Sequence, residues 1–449
     1  MVSADLLYKT PDPFTANLCD ESHLSSSLFA PRVWEPDPCS LASFMLTGKG
    51  GDLLVACSTH QPAEPPSPFA QVMALLMAQH PRLGVDSPAA KLTVDCAQRI
   101  LLELTPAIVV DMGSALCKAG FVCGRERPSI IFPTINWEDA ERVWHHLFFD
   151  QLHVRPNERS VLLIEPPLNP RANRERLAQL LFERFHVPAL YVALGAELVL
   201  FRTGRATGVV VDSGEVATYI VPISEGFAIP HAIRRVDVAG RDVNRQLEQL
   251  LRKARRTPLP ARLLGDQAAL GDVVRDIKQR HAYVAPSSRF DSAWHEEMVL
   301  AATTEDGDDG TPTVPYPLPG GGVLELRGEL CACAEGLFDT SAYGLADATL
   351  SAITACTVYE AEARNKLCAN IVLSGGTTMC RGFAERLHEE LAGLAPSAPI
   401  KVVHAAADGI CASWAGGASF AAHPSFKDSK LIHRWIARKE YGAEPGEVP

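Results

Sequence analysis

The stretch that decides the fold is Ala107–Phe121, which reads AIVVDMGSALCKAGF. Three apolar residues, Ile108–Val110, run into Asp111, and a turn of small residues then leads into a second apolar run. This pattern predicts a strand, a tight turn and a returning strand, with backbone N–H groups in the turn that converge on an anion. Asp111, at the end of the strand, is placed to hold a water molecule or a metal ion beside that anion.

The same pattern recurs further along the chain. Gly208–Pro222 repeats the apolar run, an aspartate (Asp212), a Ser-Gly turn and a second strand. Val372–Thr378 places a Gly-Gly-Thr-Thr loop after another short strand. One such hairpin alone is more often a surface turn than a phosphate site. Two of them with a glycine loop predict a duplicated architecture that closes on the phosphate chain of a nucleotide.

Strand and helix patterns alternate through the middle of the chain. Val161–Ile164 is a continuous apolar run and predicts a buried strand. Asn136–Leu152, Asn173–Phe185 and Tyr191–Phe201 have the apolar spacing of helices. This alternation by itself predicts the α/β class.

Composition excludes several classes of protein. With 449 residues, 47% of them hydrophobic and 21% charged, the chain has the composition of a globular protein of two or three domains. Its net charge of −11 argues against nonspecific binding to nucleic acid. The 12 cysteines include no CxxC pair and are typical of reduced thiols in a cytosolic or nuclear protein. No apolar run reaches the ~18 residues that span a bilayer.

Residues 1–104 form an extension rich in proline, which predicts a largely irregular segment. Two pieces, 68–79 and 91–104, have helical patterns. The Met- and Leu-rich face of the first is suited to binding a partner, and equally to packing on its own domain.

Five long segments resemble actin, in the order in which actin has them, and the resemblance extends over residues 105–441. The segments are MGSALCKAGF (112–121), Val161–Glu175, Glu225–Asp242, Arg275–Ala285 and Val372–Leu387. The resemblance implies two related α/β domains around a cleft that holds ATP and a divalent cation, Mg²⁺ or Ca²⁺. It implies a first half over 105–205 with a return at 411–441, a second half over 206–410, and a tail at 442–449.

The resemblance also carries a set of nucleotide-binding positions onto this chain. Asp111 and Asp212 are expected to hold the cation through water. The full set is Asp111, Gly113, Ser114, Ala115, Leu116, Lys118, Asp212, Ser213, Gly214, Lys278, Gln279, Gly375, Gly376 and Thr377.

Several positions depart from the actin pattern and predict a degenerate ATP site. Gly195 stands where actin has the glutamine that orients the attacking water. Val216 stands at a glycine position and, being β-branched, cannot easily adopt positive φ. Gln279 replaces a glutamate expected to bond the ribose. Cys380 and Ile410 replace an aromatic and a basic residue that sandwich adenine, which weakens base stacking.

A whole outer subdomain, called subdomain 2 in actin, is predicted to be deleted. The sequence passes directly from Phe132–Ile135 to Asn136–Asp139, which flank that subdomain in actin. The deletion removes the loop that docks into the next subunit of a filament, so conventional polymerisation is not expected. A partner groove is implied at Phe201, Trp414, Phe420, His423 and Phe426, unless this face only packs on its own domain.

These features favour a cytoskeletal scaffold of the actin family, similar to the divergent actin-like proteins of animal sperm cells. We expect a monomer or a member of a hetero-complex that binds cytoskeletal or actin-binding proteins in the cytoplasm. The main alternative is an active, slowly hydrolysing ATPase, since Asp111, Asp212 and Lys118 persist. A sugar kinase or chaperone of the same superfamily is disfavoured because no substrate-binding insertion is present.

Overall fold

The structure of the protein is a computed structural model. It describes residues 106–122, 127–133, 139–254, 257–286, 313–338, 344–356, 361–405, 409–423 and 435–441. The extension over 1–104, with its two predicted helices, lies outside the described residues, as do Phe426 and the tail over 442–449.

One sheet is built around the stretch quoted at the outset. In chain order its strands are β1 (Ile108–Met112), β2 (Leu116–Phe121), β3 (Ile130–Pro133), β4 (Val161–Glu165), β5 (Ala189–Leu194) and β14 (Ile436–Ala437), and in space they run β14-β5-β4-β1-β2-β3. The predicted hairpin is β1-β2, with Asp111 opposite Lys118. The strands β1, β4 and β5 are parallel, which requires helical crossovers between them.

A second sheet repeats the plan of the first. Its strands are β6 (Gly208–Ser213), β7 (Thr218–Ser224), β8 (Phe227–Ala228), β9 (Arg234–Val236), β12 (Ile371–Ser374) and β13 (Val402–His404), in the order β13-β12-β6-β7-β8 with β9 beside β7. β6 and β7 form a hairpin, and β6 pairs in parallel with β12. Asp212 occupies the same place in this sheet that Asp111 has in the first. A separate hairpin pairs β10 (Val314–Pro317) with β11 (Val323–Leu326).

Helices cover both sheets. Over the described residues they are α1 (Ala140–His145), α2 (Arg171–Gln179), α3 (Gly195–Arg202), α4 (Gly240–Lys253), α5 (Ala261–Leu264), α6 (Gln267–His281), α7 (Glu329–Glu335), α8 (Leu345–Cys356), α9 (Ala361–Cys368), α10 (Phe383–Leu394), α11 (Ala412–Ala422) and α12 (Arg438–Tyr441). The helices α1 and α2 each continue as a π-helical turn, His146–Gln151 and Leu180–Arg184. No helix of the described part of the chain is long and apolar enough to cross a membrane.

The α/β class predicted from the alternating patterns is confirmed, but one predicted helix is wrong. Tyr191–Phe201 was expected to be helical throughout, whereas Ala189–Leu194 is a strand and the helix α3 begins at Gly195. Leu190–Leu194 pair with β4 in the centre of the sheet. A run of apolar residues fits a buried strand as well as a helix, and the neighbouring strand decided between them.

Two helices, α3 and α11, lie between the sheets and join the two halves. Leu198 of α3 and Trp414 of α11 pack on Val109, on the first sheet. On its other side α3 packs on Val210, on the second sheet. The buried indole N–H of Trp414 donates to the carbonyl oxygen of Val109 at 3.0 Å, which ties α11 to β1.

The two helices approach so closely that one position between them accepts only glycine. A Cβ atom added at Gly416 would lie 2.3 Å from the carbonyl oxygen of Leu198, which is backbone and cannot move aside. At Gly271, in the middle of α6, an added Cβ would meet nothing within 4 Å.

We therefore expect Gly416→Ala to lower the free energy of unfolding by about 1–3 kcal/mol, because it forces α3 and α11 apart. The matched variant Gly271→Ala should raise it by about 0.5–1 kcal/mol, because alanine is the better helix former. Chemical denaturation of both variants measures the difference. Equal stability of the two would show that the helices are not in close contact.

Candidate functional site

A cavity of about 1270 Å³ opens where the two sheets face each other at the carboxyl ends of their parallel strands. Both hairpin turns, the glycine loop after β12 and the N-terminal ends of α3 and α11 line it. The cavity brings together the sequence-predicted residues Asp111, Gly113, Ser114, Ala115, Leu116, Lys118, Asp212, Gly214, Lys278, Gln279, Gly375, Gly376 and Thr377. Ser213 is the exception: it is buried, and its hydroxyl group shares a hydrogen bond of 2.7 Å with the hydroxyl group of Thr218.

In the first hairpin a buried ion pair faces the cavity. The Lys118 Nζ atom donates to Asp111 Oδ2 at 2.9 Å, and both side chains are buried. Burial alone would lower the pKa of Lys118, but the nearby Asp111 carboxylate outweighs burial and the pKa lies above its usual value. The lysine therefore stays protonated and supplies a permanent positive charge at the floor of the cavity.

In the second hairpin the equivalent aspartate has no lysine opposite it. Asp212 pairs with Tyr219 across the hairpin and with Ser374 on β12. Burial, and then the charge of Asp111, raise the pKa of Asp212 above its usual value. The ionised carboxylate is thus disfavoured in the folded protein, and its cost grows as the pH rises through that raised pKa. A cation beside Asp111 and Asp212 would remove this cost.

The glycine loop is locked against the second hairpin. Gly375 has φ +87°, and a Cβ atom there would lie 2.2 Å from the carbonyl oxygen of Ser213, so only glycine fits. The Thr377 hydroxyl group donates to the carbonyl oxygen of Gly214 at 2.6 Å. The Gly375 N–H donates to the carbonyl oxygen of Gly409 at 3.1 Å. These contacts fix the backbone of the loop beside the hairpin turn, and leave the N–H groups of Gly376 and Thr377 to face an anion.

The turn that contains Val216 does not require positive φ, the backbone conformation that a β-branched valine resists. The described non-glycine residues with positive φ are His153, Leu168, His186 and Glu225, so neither Glu215 nor Val216 is among them. Glu215 instead reaches Lys278, with Oε2 at 3.8 Å from Nζ. The same Nζ atom donates to the carbonyl oxygen of Gly240 at 3.1 Å, and burial lowers the pKa of Lys278.

The wall of the cavity at Gly195 carries no side chain and has little room for one. A Cβ atom there would lie 3.2 Å from Ile164 Cγ2 and 3.4 Å from the hydroxyl oxygen of Ser413. Gly195 and Ser413 stand in the first turns of α3 and α11, so the two helix N-termini meet at this point. Glycine at position 195 therefore departs from the actin pattern in the sequence and also suits the close packing of this wall.

Part of the cavity wall is aliphatic and sulphur-containing. Met379, Cys380 and Ile410 line it. A Cβ atom at Gly409 would meet Met379 Sδ at 2.8 Å, and one at Gly376 would meet Ile410 Cγ1 at 3.0 Å, so these side chains are packed against the glycine loop. Burial raises the pKa of the Cys380 thiol to about 11, which keeps it protonated.

The residues of the predicted partner groove lie partly in the core and partly on the surface. Trp414 is fully buried, so its indole serves packing and is not presented to a partner. Phe201 is 36% exposed and meets the rings of Phe420 and His423 edge-on, at centroid distances of 5.3 and 5.8 Å. An aromatic surface therefore remains at the C-terminal ends of α3 and α11.

Ser374 is a cavity residue that the sequence patterns did not single out. It lies opposite Asp212 in the parallel pair and is buried. Its hydroxyl group makes no hydrogen bond of good geometry, but it is close enough to Asp212 to lower the pKa of that carboxyl group. The register of neighbouring parallel strands, which end at the same edge, was the signal available for it.

This charge arrangement fits an anion accompanied by a hydrated cation. Among the described residues no group of three or more His, Cys, Asp or Glu side chains could hold a metal ion by itself. Two aspartates that act through water, with the anion as the remaining ligand, are the mode of binding that Mg²⁺ favours. Lys118 and the N–H groups of the two turns would then face the anion.

The Lys118–Asp111 pair generates a stability prediction. Lys118→Met leaves the Asp111 carboxylate buried without its cation, and should lower the free energy of unfolding by about 3 kcal/mol. The double variant Asp111→Asn with Lys118→Met removes both charges, and should recover most of this loss. Urea denaturation of the unaltered protein, the single variants Lys118→Met and Asp111→Asn, and the double variant provides the cycle. A double variant no more stable than Lys118→Met would contradict the assignment of the cost to a buried charge.

One comparison with known proteins bears on this geometry. The family model described as Actin matches residues 134–447, well over half of the chain. The first hairpin lies before the matched region, yet β1 pairs directly with β4 inside it and completes the same sheet. Two sheets of the same plan, with both hairpin turns at one cavity, agree with that match. The chain belongs to the actin family, and its fold is actin-like.

Proposed function

We propose that this protein is a structural, scaffold-type member of the cytoskeleton whose cleft holds MgATP through the phosphates but turns it over slowly or not at all. The observation that supports this most directly is the contrast, within one cavity, between the loop at Gly375 and the wall at Gly195. The phosphate end is built and locked, by Gly375 against Ser213 and by Thr377 against Gly214. The position that would orient the attacking water is Gly195, which has no side chain to do so.

The residues present divide the work of holding the ligand between the two halves. Lys118 and the N–H groups of Ser114 and Ala115 would face the phosphates from the first half, and those of Gly376 and Thr377 from the second. Asp111 and Asp212 would hold Mg²⁺ or Ca²⁺ through water. The cation, when bound, supplies neutralisation of phosphate charge.

We further propose that the protein acts as a monomer or in a hetero-complex and does not form filaments. The strand β3 ends at Pro133 and α1 begins at Ala140, and the six residues 134–139 between them cannot form a subdomain or its docking loop. Partners of the cytoskeletal or actin-binding class would use the aromatic surface of Phe201, Phe420 and His423 in the cytoplasm. The short connection and the long extension support a place among the divergent, sperm-type actin-like proteins.

One observation favours the alternative of a slowly hydrolysing ATPase. Asp212 is half-buried and its pKa is raised, chiefly by burial. A carboxylate with a raised pKa is a stronger base than an ordinary one and is better suited to accept a proton from water. Measurement of turnover decides between a silent cleft and a slow enzyme.

The nucleotide prediction is tested on the full chain with a ribose-labelled fluorescent ATP, with and without Mg²⁺, followed by single-turnover hydrolysis with conventional actin alongside. We expect Mg²⁺-dependent binding and hydrolysis at least ~100-fold slower than that of actin, since loss of one group that stabilises or positions the reacting atoms costs about that much.

A pair of variants isolates the role of the cavity wall. Gly195→Gln should raise the single-turnover rate, whereas Gly271→Gln, placed in open space on α6, should leave it unchanged. Turnover by the unaltered protein at the level of actin would overturn the proposal, and so would no binding at millimolar nucleotide.

Sedimentation in Mg²⁺ and salt tests the assembly prediction. The protein should remain in the supernatant at every concentration at which actin pellets, because residues 134–139 leave no docking loop. A pelleted fraction that appears above a critical concentration would contradict this.

A further inference from the structure

The two ends of the cavity differ in the kind of recognition that they offer. At the phosphate end the polar groups are fixed: Lys118 is held by Asp111, and Gly375 and Thr377 are held against the second hairpin. Groups held in this way bind a ligand without ordering themselves first, so affinity is concentrated there.

Around Cys380 and Ile410, the positions that the resemblance to actin assigns to the base, the walls offer contact without a hydrogen-bond pattern. Met379, Cys380 and Ile410 present a thioether, a protonated thiol and an aliphatic chain. None of these groups distinguishes one base edge from another. Among the described residues that line the cavity, Tyr219 is the one with a six-membered aromatic ring, and it lies under the Arg235 guanidinium group, whose carbon is 5.8 Å from the ring centroid.

The cationic groups near this end are already engaged within the protein. The Lys278 Nζ atom donates to Gly240 and lies 3.8 Å from Glu215. The Arg381 guanidinium group lies over the ring of Tyr283, 5.0 Å from its centroid. Gln279 is exposed, and its rotatable amide both donates and accepts hydrogen bonds, so it suits any base edge.

Discrimination between ligands arises where a site holds buried polar groups that the wrong ligand leaves unpaired. Among the described residues that line this cavity, the fixed polar groups lie where the phosphates are expected and not where the base is expected. We propose that the cleft recognises a triphosphate with its cation and does not read the base, so that its ligand class is nucleoside triphosphates in general. This inference rests on the proposed function, since it concerns the same cleft.

Competition against the ribose-labelled fluorescent ATP, with the full chain and Mg²⁺, tests the inference. ATP, GTP and UTP should displace the probe with affinities within about threefold of one another. Inorganic tripolyphosphate should also displace it, within about tenfold of ATP, whereas adenosine should not.

A designed variant tests the cause of this tolerance. Cys380→Tyr places an aromatic ring at the base end, and should favour ATP and GTP over UTP by about fivefold or more, because purines stack more extensively on a ring. Leu394→Tyr adds the same side chain at an exposed position outside the cavity, and should leave the three affinities equal.

The outcomes separate this inference from the proposed function. ATP binding more than tenfold tighter than both GTP and UTP would overturn the inference and leave the proposed function in place. Displacement of the probe by adenosine would do the same, because it would show that the nucleoside carries the affinity. If the probe does not bind and no phosphate compound is recognised, both the inference and the proposed nucleotide cleft fail.

Discussion

The contact between α3 and α11 is the constraint on which the rest of the structure depends. At Gly416 the two helices approach so closely that the carbonyl oxygen of Leu198 occupies the space of a side chain. The pair fills the gap between the sheets, with Trp414 bonded to β1 and α3 packed on β6. Because both helices begin at the cavity, the same contact that joins the halves also sets the position of its wall at Gly195 and Ser413.

The duplicated hairpins are equivalent in backbone and different in charge. Asp111 faces Lys118, so the first half contributes an ion pair whose two charges neutralise each other. Asp212 faces Tyr219 and carries a carboxylate that burial disfavours. Bringing the two halves together places Asp212 beside Asp111, and burial and then that charge raise the pKa of Asp212. A cation beside the two aspartates would remove the cost of ionising Asp212.

The cavity combines a loop held by backbone contacts with walls made of side chains. The loop at Gly375 depends on backbone contacts that tolerate no side chain, so its geometry is independent of what happens elsewhere in the cavity. Gly195 and Cys380 lie on the walls of the cavity, whereas Ile410 packs against Gly376 of the loop. This arrangement is a physical reason why positions such as Gly195 and Cys380 can differ from the actin pattern while the loop keeps its backbone contacts.

The resemblance to actin supplied cavity residues such as Lys278 and Gln279. The sequence by itself determined the class and the repeated hairpins. Local signals were enough there, because an apolar run, an aspartate and a glycine turn specify a strand and its turn within a few residues. The sequence alone did not determine that Tyr191–Leu194 is a strand, that Trp414 is core, or that Ser374 faces Asp212. Only the tertiary structure decided these, since each depends on which strand or helix lies alongside, and apolar residues of similar pattern serve either neighbour equally well.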